Sequence, residues 1–286
     1  MMRILVVIPH YFGAGSSSYG STDLSQRARR ANSLRGCIVT LHQQFGGSQF
    51  LQMYDRQKRI VNQQMANDLD VVVCVRGEEH LLDDLNLPGG CYRKHDSDIE
   101  DPRYLGYVCY DVFRECAGQY DWYCFLEDDI LIKDPLFFSK LQLFYDVVGS
   151  ARYLLQPNRY ELGVDPPCKM YIDGPLWDDT AEFLASLRLP GCKDEIEVEF
   201  GNQRYRLTPA ENPHSGCFFL TEIHLGHMLE QPWYGEHNNG YAGPLESAAS
   251  LYITTLFHVF KPADECASFL EVHHDYQKHL KRESNA

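Results

Sequence analysis

Three consecutive carboxylates, Glu127-Asp128-Asp129, directly follow the aromatic and apolar run Trp122 to Leu126. Like charges in one turn repel unless a cation or solvent relieves them. A hard divalent ion, Mg²⁺ or Mn²⁺, is the natural partner, because carboxylates one and three can share it while it also takes diphosphate oxygens. An arbitrary acidic triplet is more often a solvated turn; placed at the carboxyl end of a buried strand, this one points to phosphate chemistry. Two further groups carry chemistry. Glu246 stands in Gly243-Pro244-Leu245-Glu246, where a carboxylate in a helix's first turn gains about 0.3–1 kcal/mol from the macrodipole whatever its function. His273 and His274 are adjacent, which is not the i, i+4 spacing of a helical zinc site.

These residues need elements to hold them. Ile4 to Ile8 is a branched apolar run closed by Pro9, the pattern of a strand buried on both faces of a parallel sheet. A Gly/Ser loop, Gly13 to Thr22, follows, and Asp23 or Ser25 caps a helix through Arg27, Arg30 and Leu34. Asp70 to Val75 reads as a second buried strand ended by Gly77, and the polar stretch 83–103 as a loop. Tyr104 to Cys116 has helical spacing, Trp122 to Leu126 is a third strand, and Pro135 opens a helix to about Val148. Strand, helix, strand order implies a right-handed, mostly parallel α/β sheet whose ligands gather at the carboxyl ends of its strands. The second half is more irregular. Glu195 to Phe200 and Arg204 to Leu207 form a hairpin about Gly201-Asn202, Pro244 to Phe257 a helix, Val259-Phe260 a short strand, and Gln277 to Ala286 a charged tail. The expected division is 1–155 for a donor-binding half and 156–286 for an acceptor-binding half.

Composition narrows the function. Hydrophobic residues make up 44% and aromatics 13%, enough for a packed core. A net charge of -14 opposes nucleic-acid binding, which needs clustered cations to displace counterions. The opening apolar run is too short for a signal-peptide core, and no window approaches the roughly 18 apolar residues of a membrane span. The expectation is a soluble, cytoplasmic protein without a transmembrane segment. Its ten cysteines, dispersed with no C-x-x-C pair, read as mostly reduced and buried thiols. Neither G-x-x-x-x-G-K-[ST] nor G-x-G-x-x-G occurs, against a P-loop or dinucleotide fold.

With its acidic triplet closing a strand, the chain resembles the GT-A class of glycosyltransferases, Rossmann-related α/β proteins in which an Asp-x-Asp-like motif holds the donor diphosphate through a metal. The resemblance implies a mostly parallel central sheet flanked by helices, with a more irregular acceptor side containing the hairpin. It implies a nucleoside-diphosphate sugar as donor, with UDP the first expectation and GDP the second. A glycan, a lipid-linked or a small-molecule acceptor would receive the sugar. Asp129 matches the main metal carboxylate and Glu127 the first motif position, contacting metal or donor ribose, with Asp128 against the donor. Pro9 and Tyr11 would line base and ribose, Arg103 would bring a cation to the donor, and Gly216 would let backbone approach the sugar. One of His273 and His274 would complete the metal shell. In inverting members an acidic residue at such a helix start takes the acceptor proton, the role expected of Glu246. A nucleotidyltransferase, or a binding module without turnover, would use a similar site.

Overall fold

An uncharged run has no face to offer water, and Ile4 to Ile8 are fully buried in β1 (Arg3–Pro9). The computed structural model describes residues 1–13, 21–47 and 49–275; most of the expected Gly/Ser loop and the charged tail lie outside the described residues. After β1 come α1 (Arg27–Phe45), β2 (Phe50–Gln52), β3 (Lys58–Ile60), β4 (Asp68–Arg76), β5 (Arg93–Ser97) and α2 (Leu105–Glu115). Then follow β6 (Trp122–Leu126), β7 (Ile130–Leu131), α3 (Phe137–Val148), β8 (Tyr153–Leu155), β9 (Asn158–Val164) and β10 (Pro167–Tyr171). The chain continues through α4 (Asp178–Leu187), β11 (Ile196–Phe200), β12 (Gln203–Pro209), β13 (Cys217–Thr221) and α5 (Glu222–Leu229). It closes with α6 (Pro244–Leu256), β14 (His258–Pro262) and β15 (Glu271–His274).

The central sheet has the order β13-β6-β1-β4-β5. Its four strands β6, β1, β4 and β5 are parallel, with Val6 beside both Val71 and Cys124, and β13 is antiparallel at one edge. Strand alternation sends Ile4, Val6 and Ile8 into one core with Leu34, Ile38 and Phe45 of α1. Leu5 and Val7 enter the other core, with Val108 and Phe113 of α2 and Ile253 of α6. Burial on both faces is why Ile4 to Ile8 include no polar residue: each such side chain contributes about 1.5–3 kcal/mol, and a charge at Val6 would break the layer.

Two smaller four-stranded sheets, β10-β9-β15-β7 and β11-β12-β14-β8, flank the central one. The expected hairpin is present as β11 and β12, turning at Gly201 with φ 64°. The sheets take strands from both sides of residue 155, since β13 completes the central sheet and β7 pairs with β15. Several expectations need correction. The polar stretch 83–103 contains β5, whose Arg93, Lys94 and Asp96 read as loop because an edge strand keeps charges in water. Glu271–His274, for which no element was expected, forms β15, and the helix expected at Pro135 begins two residues later at Phe137. All ten cysteines are free thiols, six of them buried. Among the described residues no helix is long and apolar enough to cross a membrane.

Candidate functional site

At the carboxyl end of β6 the chain turns tightly, with Glu127 N–H donating to the Gly216 carbonyl at 2.8 Å and Ile130 N–H to the Glu127 carbonyl at 3.1 Å. The turn sends its three carboxylates to three different sets of partners. Asp128 accepts from Arg30 Nη2 on both oxygens, at 3.0 and 2.8 Å, and pairs with His10 Nδ1 at 2.5 Å. Glu127 faces Arg159 Nη1 and His214 Nε2, each at 4.0 Å. Asp129 Oδ2 lies 3.5 Å from His274 Nε2 and 3.7 Å from Arg30 Nη1, while its Oδ1 is buried without a hydrogen-bond partner. Protein cations therefore already relieve the like-charge repulsion, which alone does not require a metal.

The two histidines of β15 part company because successive side chains of a strand point to opposite faces. His274 turns to Asp129, and its Nδ1 bonds to buried Glu161 Oε1 at 2.7 Å. His273 packs on the Tyr160 ring, 5.3 Å between centroids, with both ring nitrogens buried and lacking hydrogen-bond partners. The electrostatics follow this division. Burial pushes the Glu127 carboxyl up to about 8, helped by Asp129 and Glu246 and opposed by Arg159. Burial works against ionised Asp129 too, but His274, Arg30 and Arg159 hold it well below the usual carboxylate range. His274 reaches about 9 although burial lowers it, because Asp129 and Glu161 both favour the imidazolium. His273, with burial and then Lys133 against its charge, falls to about 4.

Behind this layer, Arg159 on β9 donates through Nε and Nη2 to Asp173 Oδ1 at 3.1 and 2.9 Å. Lys261 on β14 bonds the other Asp173 oxygen at 3.1 Å and the His214 carbonyl at 2.9 Å. All three side chains are almost wholly buried, and such a network fixes the Arg159 guanidinium in place. In front lies a cavity of about 290 Å³, near the small end of ligand pockets.

Of the residues singled out by sequence, Glu127, Asp128, Asp129 and His274 line this cavity, and so do Pro9, Tyr11, Arg103 and Glu246. Tyr11 is steadied by a 3.1 Å bond to Glu79, Arg103 by Asp101, and Glu246 by its place in the first turn of α6. Gly216 and His273 are not among the lining residues. At Gly216 the close approach is to the acidic turn: a Cβ there would lie 2.8 Å from Glu127 Oε2. His214, which opens the segment expected with Gly216 near the sugar, does line it, whereas sequence reasoning missed Arg30, Arg159 and Tyr241 as lining residues. Arg159 and Glu161 had a readable signal, two charges at i and i+2 on a strand that also carries Tyr160 and Leu162.

Whether a divalent ion fits is a question of donors. Among the described residues no three His, Cys, Asp or Glu side chains are grouped to hold one. The partnerless Asp129 Oδ1 and the nearby His274 Nε2 are the two donors that would be open to such an ion, were its remaining ligands diphosphate oxygens and water. Glu161 behind His274 is the carboxylate–histidine pairing that orients metal-bound imidazoles.

The fold and site together define an α/β protein with a charged cavity at the carboxyl ends of parallel strands. No protein-family model matches the chain, and no curated protein matches it in sequence. Among solved structures the chain is similar to mouse xyloside xylosyltransferase 1 in its apo form. The identity is 11%, the TM-score 0.44, and the match covers 90% of this chain and 84% of that one.

Proposed function

We propose that this chain transfers a sugar from a nucleoside-diphosphate sugar to an acceptor hydroxyl. The observation that carries the reading is the meeting of Asp129, His274 and Glu246 in one cavity at the carboxyl end of the sheet, walled by the guanidinium groups of Arg30, Arg103 and Arg159. Carboxylates alone would repel a diphosphate, and guanidinium groups alone would leave no proton acceptor. The acceptor oxygen attacks the anomeric carbon, the bond from that carbon to the diphosphate breaks, and its electron pair leaves on the diphosphate. Glu246 takes the acceptor proton in this inverting scheme. Arg159, held from behind by Asp173, presents fixed positive charge where negative charge develops. A divalent ion held by Asp129 and His274 would add Lewis-acid stabilisation of the leaving diphosphate.

The test is product analysis with UDP- and GDP-sugars, an acceptor panel and Mn²⁺. Free nucleoside diphosphate is expected, whereas pyrophosphate release would replace the reading by nucleotidyl transfer. Asp129→Asn is expected to abolish metal-stimulated donor binding and turnover, and wild-type levels of both would remove the metal site. One observation favours a second reading, transfer without a metal: Arg30 and His10 already meet the charge of Asp128. Donor binding unchanged by a chelator would select it.

A further inference from the structure

Every residue from 51 to 60 is exposed, a stretch covering most of the β2–β3 hairpin. Phe50, Leu51, Met53, Tyr54, Ile60 and Met65 all show large apolar surface to water. Among the described residues the two strands pair as a sheet only with each other, and an isolated two-stranded hairpin is marginal in water. Apolar surface concentrated in this way marks a contact site. Its charge says what kind. Arg56, Lys58 and Arg59 outnumber Asp55 on the arm, in a chain whose net charge is -14.

Position narrows the choice further. The chain leaves α1 at Phe45 and returns at Asn67, whose N–H donates to the Phe45 carbonyl at 3.0 Å just before β4. The arm thus springs from the amino ends of the parallel strands, the end away from the cavity. The same end exposes the acids Asp68, Asp70, Glu115, Asp121 and Glu222, against the bases Arg3, Arg93 and Arg114. We infer that the arm docks on this acidic end of a second copy of the chain, forming a two-fold dimer in which each copy gives an arm and receives one. A two-fold contact of this kind closes on itself and leaves both cavities open. An anionic bilayer would attract the arm but repel the acidic end from which it springs.

Sedimentation of the full chain decides the matter. The expected wild-type mass is twice 33.0 kDa. Reversing the arm (Arg56→Glu, Lys58→Glu, Arg59→Glu) and, separately, the acidic end (Asp68→Lys, Asp70→Lys, Asp121→Lys) is expected to weaken dimerisation at least about tenfold in each variant. Mixing the two variants is expected to restore the dimer, since both arm contacts are complementary again; this rescue also shows that both variants are folded. A monomeric wild type, or a dimer indifferent to both reversals, overturns the proposal. So does a wild type that stays monomeric while floating with phosphatidylserine vesicles.

Discussion

His273 and His274 show how one residue of register decides a role. Sequence placed the pair beside the acidic turn but offered no means of choosing between them, because the choice depends on which face of β15 meets the cavity. The acidic turn was legible because its three carboxylates are contiguous. Its partners were not, since Arg30, Arg159 and His274 arrive from three separate elements. The two histidines are expected to respond in opposite ways to substitution. His274→Ala removes one of the two proposed metal donors, and Glu161→Gln the group that would orient it; each is expected to weaken Mn²⁺ binding in the presence of nucleoside diphosphate by about 10–100-fold in calorimetry. His273→Phe replaces a ring with two buried, unsatisfied nitrogens by an apolar ring. Its melting temperature is expected to hold or rise and its Mn²⁺ affinity to stay unchanged. Loss of Mn²⁺ binding in the Phe variant would reverse the assignment.

At the scale of elements, the strands buried on both faces were readable from composition, as β1, β4 and β6 show. The edge strand β5 was not, because its charges match those of a loop. Helix contacts were illegible for a different reason: they depend on which small residues face one another. Gly106 of α2 meets Ala248 of α6 so closely that a Cβ at Gly106 would lie 2.8 Å from that of Ala248. Gly106→Ala gains about 1 kcal/mol of helix propensity, but overpacking costs about 1–3 kcal/mol. The net expectation is lower stability in urea unfolding. Because Ala248 stands two residues after Glu246, the push on α6 is also expected to lower kcat more than it changes donor affinity. Gly216→Ala acts on the acidic turn instead. A φ of 63° and the contact with Glu127 together are expected to destabilise by roughly 1–2 kcal/mol or more and to displace the acidic turn. Unchanged unfolding midpoints in both variants would mean that neither close approach constrains the fold.

On the scale of the whole molecule, acid removes negative charge from an acidic chain and so relieves its self-repulsion, but a histidine buried as the neutral ring opposes this gain. His224 ties α5 to β8: its Nδ1 accepts from Thr221 N–H at 3.3 Å, and its Nε2 bonds to the Tyr153 carbonyl at 3.1 Å. Thr221 Oγ1 lies closer still, 2.7 Å from Nδ1, and the ring is all but shut off from water. Burial accordingly lowers the His224 pKa to about 4, opposed only in part by the Tyr153 carbonyl. The unfolded ring takes its proton near 6.5, so between pH 6.5 and 4 the unfolded state binds more protons. The stabilisation is complete above pH 6.5 and is lost as pH falls toward 4, by up to roughly 3 kcal/mol. His224→Gln keeps an acceptor and a donor without a titrating group. In urea unfolding the variant is expected to be the less stable protein at pH 7.5 and to close most of that gap by pH 4.5. Parallel loss of stability in the two proteins across this range would show that His224 titrates alike folded and unfolded, and that the bridge between α5 and β8 does not depend on its neutral ring.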